Sequence, residues 1–133
     1  MGLLRRFHLN NVVGNFGEDE AVTYLRSLGY RILDRNYRNL KGKALGELDI
    51  VAQDGQELVF VEVKARTYSD GQGEPLPEES ITREKLRRLS RIAEGYIREH
   101  GKELVSYRFD AVLITIEKIS LRQDIRHFKS IYL

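Results

Sequence analysis

Gly46-Glu47-Leu48-Asp49-Ile50-Val51-Ala52-Gln53, then Asp54-Gly55-Gln56, then Glu57-Leu58-Val59-Phe60-Val61-Glu62-Val63-Lys64-Ala65-Arg66, is an alternating, β-branched run broken once by a turn signal. It predicts two strands, 46–53 and 57–66, flanking Asp54-Gly55, a dipeptide that favours a tight hairpin. Successive side chains of a strand point to opposite faces. One face therefore carries Leu48, Ile50, Ala52, Val59, Val61, Val63 and Ala65 and is wholly apolar. The other carries Glu47, Asp49, Val51, Leu58, Phe60, Glu62 and Lys64. Because half of this second face is also apolar, the hairpin expects a covering layer on both sides.

The register decides how the charges meet. A two-residue loop at Asp54-Gly55 sets Glu47 opposite Glu62, with Asp49 diagonal to it; a four-residue loop sets Asp49 directly opposite Glu62. Either way, Glu47, Asp49, Glu62 and Lys64 share one face, at the end of the hairpin away from its turn. Carboxylates crowded on a covered surface repel and raise at least one pKa unless a cation joins them. A hard divalent ion bound through oxygens is one remedy; Mg²⁺ typically takes one or two carboxylates, waters and a substrate phosphate. Lys64 would then stand beside a water, orienting it or neutralising developing charge. The plain alternative is a structural ion-pair network with Lys64 balancing Glu62, which leaves the extra acids unexplained.

Outward from the hairpin, Ala21, Tyr24, Leu25 and Leu28 recur at helical spacing and predict a helix over 16–28, with Asn15 and Glu18 as a capping box and Gly29 as its stop. Residues 30–37 predict a strand. A second helix is expected over 83–100, with Leu86, Leu89, Ile92, Ala93, Tyr96 and Ile97 inward and Gly101 ending it. Residues 109–116 are apolar on both faces and predict a strand inside the sheet, and 125–133 a final strand. The order is αβββαββ. Pro75 and Pro77 fall with Gly71 and Gly73 in the segment 67–80, a mobile loop by this reading.

The chain has 133 residues, 41% apolar and 32% charged, enough for one domain over 1–133, with 1–13 expected to be flexible. It has no cysteine, which excludes disulfides, thiolate metal sites and a cysteine nucleophile. No apolar run reaches the ~20 residues of a membrane span, and Arg5 and Arg6 are not followed by the apolar core of a signal peptide. A cytoplasmic location without a membrane partner is the expectation. The net charge is +2, but residues 81–102 hold seven basic side chains against three acidic ones, a segment that would attract a polyanion or serve as a solvated helix face. The segment 67–80 carries four acids and no base. His8, His100 and His127 lack metal-ligand spacing, and aromatic residues do not interleave with basic ones as a stacking platform requires.

Asp49, a gap of twelve residues, and then Glu62-Val63-Lys64 resembles the D…(D/E)-x-K signature of the PD-(D/E)xK nuclease superfamily. The chain is similar, more closely, to the bacterial YraN family. That likeness runs through Asn15-Phe16-Gly17-Glu18 with Ala21, Arg35-Asn36-Tyr37-Arg38, 46–52, 60–66 and Arg108-Phe109-Asp110-Ala111-Val112. It spans roughly residues 14 to 116. The resemblance implies a restriction-endonuclease-like fold, α/β, with a three-layer αβα core and a mixed sheet. It implies Asp49 and Glu62 as metal ligands and Lys64 as the catalytic lysine. It further implies Glu18 as an additional acid, as in the archaeal Holliday-junction resolvases to which such proteins are similar. Leu48 departs from the superfamily pattern, which often has proline before the acid; the position supplies no ligand.

The expected activity is hydrolysis of phosphodiester bonds in DNA, branched DNA included, with Mg²⁺ or Mn²⁺. Asp49 and Glu62, joined by Glu47, would hold the metal, and Lys85 and Arg66 would contact substrate. Glu18 is divided between its capping role and the site. Asp110, beside Arg108, is expected to make a structural hydrogen bond or ion pair. A homodimer would place two sites on two strands. The alternative is a nucleic-acid-binding or protein-interaction module on the same fold, without turnover.

Overall fold

The computed structural model describes residues 2–38, 46–69 and 82–131, with side chains from Asn15 onward. Two helices and five strands follow in the order α1 (Gly2–Ser27), β1 (Arg31–Tyr37), β2 (Leu48–Asp54), β3 (Glu57–Tyr68), α2 (Arg83–Glu99), β4 (Tyr107–Glu117) and β5 (Gln123–Phe128). The sheet runs β1-β2-β3-β4-β5. Only β3 and β4 pair in parallel, from Leu58↔Tyr107 to Tyr68↔Glu117, because the α2 crossover lies between them. The sheet is therefore mixed, and the order αβββαββ stands as expected.

Each face of the sheet has its own core. Ala21, Val22 and Leu25 of α1 pack with Tyr30, Ile50, Ala52, Val59, Val61, Val112, Ile114 and Ile116. On the opposite face, Leu89, Ile92, Ala93, Tyr96 and Ile97 of α2 pack on Tyr37, Leu48, Val51, Leu58 and Phe60. The result is a three-layer αβα arrangement. α2 begins at an N-cap, where the Thr82 hydroxyl accepts from the Lys85 N–H at 3.1 Å, and the chain turns beyond it at Gly101, φ +62°.

Several boundaries differ from the sequence reading, for local reasons. α1 starts at Gly2 rather than near Phe16, so Asn15 and Glu18 lie inside the helix and the expected capping box does not form; no proline interrupts residues 2–15 to force a later start. β5 ends at Phe128 instead of running to the C-terminus, and Ser130 adopts φ +56° just beyond it. β3 continues to Tyr68 because β4 offers it a parallel partner throughout. Of the loop expected over 67–80, only Thr67, Tyr68 and Ser69 fall among the described residues.

The hairpin register is the one that faces Asp49 toward Glu62. β2 and β3 pair from Asp54↔Glu57 to Ile50↔Val61, around a two-residue turn made by Gly55-Gln56 rather than Asp54-Gly55. Gly55 is the first turn residue and has φ +60°, a conformation a hairpin of type II′ needs and glycine supplies freely. The expected alternation fails at one place. Leu48 packs with the α2-side core, not with Ile50 and Ala52 under α1. There the β2–β3 ladder has ended at Ile50, and in β1 the residue between the partners of Ile50 and Leu48 is Asn36, at φ +53°. Without a regular strand on either side, the pleat no longer dictates which way Leu48 turns.

Candidate functional site

Asp49 lies at that irregularity. Instead of another ladder bond, the Val63 N–H donates to Asp49 Oδ2 at 2.8 Å, which fixes the carboxylate against β3 one residue from Glu62. Glu62, buried at 8% exposure, faces α2, where its Oε1 is 2.6 Å from Lys85 Nζ. The Asp49 and Glu62 carboxyls lie close enough for the Glu62 charge to act on Asp49. Burial, followed by the Glu62 charge, pushes the Asp49 pKa up to about 8, against the opposing Val63 N–H and with a further push from Glu18. Burial thus favours the protonated form of the Asp49 carboxyl.

Lys64 stands beside this pair. Burial lowers its pKa, helped by the positive charges of Lys85 and Arg66 and opposed by Glu62 and Asp49. Among the described residues Lys64 is in no ion pair within 4.0 Å; the cation that balances Glu62 is Lys85, from a helix 21 residues on. The network in which Lys64 neutralises Glu62 is therefore not the one the chain makes. Arg66 is near enough for its charge to act on Lys64, and it has interactions of its own.

Glu18 approaches from α1, and its placement follows from Gly17. A Cβ at Gly17 would lie 2.5 Å from the Ala65 Cβ, so the missing side chain lets α1 rest directly on β3. Burial raises the Glu18 pKa; Arg35, at 4.0 Å, and an Asn36 side-chain hydrogen bond oppose it, while Glu47 and Asp19 add to it. Arg35 is committed more closely to Asp19, at 2.7 Å. Glu47 does not join Glu62: its carboxylate is held by the Arg38 guanidinium. Tyr37 packs into the α2-side core and donates its hydroxyl to Glu99.

The structure thus brings together Asp49, Glu62, Lys64 and Lys85, with Glu18 close by, and draws Glu47 aside. Among the described residues no group of three His, Cys, Asp or Glu side chains is arranged to hold a metal ion. Asp49 and Glu62 nevertheless suit a hard divalent cation. Both are oxygen donors, they sit in half-buried surroundings, and one keeps a proton that a cation would displace.

Sequence reading missed the role of His127. On the α1 side of the sheet its Nε2 meets Asp110 Oδ2 at 2.8 Å, and its Nδ1 meets the Tyr24 hydroxyl at 3.2 Å. Arg108 joins the same fully buried Asp110 at 3.0 Å, Glu57 at 2.6 Å, the Tyr30 hydroxyl at 2.7 Å and Asp54 at 3.1 Å. Burial pushes Asp110 up, but the hydrogen bonds from His127, Arg108 and Ser130 outweigh it and hold the carboxylate below its usual range. This network ties the hairpin turn to β4, β5 and α1, so the bond expected between Arg108 and Asp110 is present and structural. No short-range signal could have found its histidine partner.

Comparison with known proteins follows the same residues. The chain matches the uncharacterised protein family UPF0102 over residues 17–114. It belongs to this family. A UPF0102 protein of Geobacter sulfurreducens is 45% identical over 109 residues, covering 82% of this chain and 80% of that protein. Relatives carrying the same family name in Pelotomaculum thermopropionicum and Caldicellulosiruptor saccharolyticus are 40% and 39% identical over 121 residues, covering 91% and 90% of this chain and 95% and 96% of theirs. UPF0102 is the YraN family of the resemblance, and the matched span contains the α1–β3 contact, the Asp49–Glu62–Lys64 cluster and the Arg108–Asp110 network. Among the described residues no helix is long and apolar enough to cross a membrane.

Proposed function

We propose that this chain is a cytoplasmic, metal-dependent endonuclease-like protein that hydrolyses phosphodiester bonds of DNA, branched DNA included. The observation that carries this reading is the closeness of the Asp49 and Glu62 carboxyls to Lys64, which among the described residues is in no ion pair within 4.0 Å. Asp49 and Glu62 would hold Mg²⁺ or Mn²⁺, which when bound would supply positive charge to the phosphate oxygens. Lys64, with its lowered pKa, orients the attacking water and offers charge to the phosphate as it becomes more negative. The Val63 N–H keeps Asp49 aimed, and Lys85 keeps Glu62 aimed. Glu18 adds negative charge at the Asp49 side, and Glu47, committed to Arg38, acts only through its field. Arg66 adds positive charge on the Lys64 side for a substrate phosphate. A homodimer would set two such sites on the two strands of a duplex or junction.

The Lys85–Glu62 pair supports a second reading, in which a lysine permanently fills the place of a cation and the domain binds nucleic acid or protein without turnover. Cleavage of branched and linear DNA with and without Mg²⁺, by the native protein, Glu62→Gln and Lys64→Ala, separates the two. Metal-dependent cleavage abolished by both substitutions is expected. DNA binding with no metal-dependent cleavage in any variant would leave the second reading standing.

A further inference from the structure

α2 carries cations of two kinds. Lys85 is half-buried and turned to Glu62, whereas Arg83, Arg87, Arg88, Arg91 and Arg98 are exposed. Among the described residues none of these five is in an ion pair within 4.0 Å, although Glu84 and Glu94 lie within one helical turn of them. Four arginines elsewhere, Arg35, Arg38, Arg108 and Arg126, each meet an acid, while Arg26 and Arg31 resemble the α2 arginines in having no ion pair within 4.0 Å among the described residues. Arg88 and Arg91 follow Lys85 at i+3 and i+6. Each such step climbs ~4.5 Å and turns ~60° about the helix, so the row leads from the rim of the carboxylate site onto the open face. The one aromatic residue of α2, Tyr96, is buried, which leaves no platform for stacking unpaired bases. Guanidinium forks, by contrast, match phosphate oxygens, and contacts to phosphate carry no base readout.

We infer that the exposed arginine row of α2 is the docking surface for the backbone of duplex DNA, gripped without sequence preference and led along the Lys85 side of the helix to Asp49, Glu62 and Lys64. The inference rests on reading that site as one for phosphodiesters. It commits the molecule to a salt signature: with three or four phosphates contacted, log affinity falls against log salt with a slope of about −3.

The test is binding of a fluorescent 20-base-pair duplex by the full chain in EDTA, from 0.05 to 0.3 M salt. Each lost phosphate contact removes about 0.9 from the slope and so roughly eightfold in affinity at 0.1 M salt relative to 1 M. Arg88→Gln/Arg91→Gln is expected to flatten the slope by about 2 and weaken binding by roughly 10–60-fold at 0.1 M salt. Arg88→Lys/Arg91→Lys keeps the slope, and Arg26→Gln, exposed at the far end of α1, changes nothing. An unchanged slope in the double Gln variant overturns the inference. So does loss of binding to phosphatidylserine vesicles by that variant while duplex binding persists, which would assign the row to an anionic lipid surface. The two readings fail separately. Arginine-dependent duplex binding without Mg²⁺-dependent cleavage refutes hydrolysis and leaves the docking surface; cleavage with a slope indifferent to Arg88 and Arg91 does the reverse.

Discussion

Gly17→Ala sets helix propensity against packing, and the structure says which wins. Alanine inside a helix is favoured over glycine by about 1 kcal/mol, so an exposed site would gain stability. At Gly17 the added Cβ would stand 2.5 Å from the Ala65 Cβ, 3.7 Å from the Ala65 Cα and 4.0 Å from Ile114 Cδ1. Apolar carbons rest roughly 3.5–4.0 Å apart, so α1 must lift from β3 by about 1 Å. No rotamer change relieves the contact, because both clashing atoms are fixed to backbone. Overpacking of this kind costs about 1–3 kcal/mol, and after the propensity gain a net loss of up to about 2 kcal/mol is expected. Urea unfolding followed by circular dichroism measures it. Ala65→Gly on the Gly17→Ala background removes the opposing Cβ, so the two changes together are expected to cost less than their sum by about 1 kcal/mol or more. The reasoning fails if Gly17→Ala is as stable as the native chain, or if the double-mutant cycle is additive.

Asp49→Asn tests the charge balance of the site through pH. Folding raises the Asp49 pKa from 3.8 to about 8, so the native state holds a proton the unfolded chain releases. Stability from this group is full below pH 4 and is lost as pH rises through 8. At about 1.4 kcal/mol per pKa unit the ceiling is roughly 5–6 kcal/mol, and local rearrangement leaves about 2. The variant should therefore match the native chain near pH 4 and exceed it by that amount at pH 8.5 in EDTA, by thermal unfolding; equal stability at both pH values refutes the assignment. Lys85→Met strips Glu62 of its 2.6 Å partner. Its expected effects are a loss of about 1–3 kcal/mol in EDTA and tighter Mg²⁺ binding by calorimetry, since a competing cation is gone. Arg108→Met leaves the fully buried Asp110 short of a partner and should cost about 3–5 kcal/mol in urea unfolding; a loss below 1 kcal/mol would show the network to be dispensable.

What could be read from the chain was what nearby residues dictate. The period of two along β2 and β3 carries the apolar faces, and one of two turn lengths carried the facing of Asp49 and Glu62. The Gly55 turn is shifted by a residue from the expected one, yet the register is that of the longer loop, because the site depends on pairing rather than on turn chemistry. What escaped was set by distant partners or by breaks in periodicity. Leu48 turned to α2 because β2 is leaving β3 there. Lys85 found Glu62 because packing of Leu86 and Leu89 brings the first turn of α2 over that strand. His127 reaches Asp110 from β5, 17 residues on, across a separation no local pattern spans, whereas the adjacent Arg108 contact was expected.

Two buried carboxylate centres now stand on opposite faces of one sheet, and their contrast bears on function. Around Asp110, His127, Arg108 and the Ser130 N–H supply donors to both oxygens, and the acid is held ionised. Around Asp49 the balance is poorer: the Val63 N–H, Lys85 on Glu62, and Arg35 with Asn36 at Glu18 face three acids, and burial with the Glu62 charge raises the Asp49 pKa. A chain able to saturate Asp110 so fully has no structural need to leave the second centre acid-rich, since a hydrophobic pair of similar size would be at least as stable there. Lys64 borders this centre and, among the described residues, is in no ion pair within 4.0 Å, and the arginine row of α2 approaches it. That contrast supports the proposal that a cation and a substrate phosphate complete the Asp49 centre.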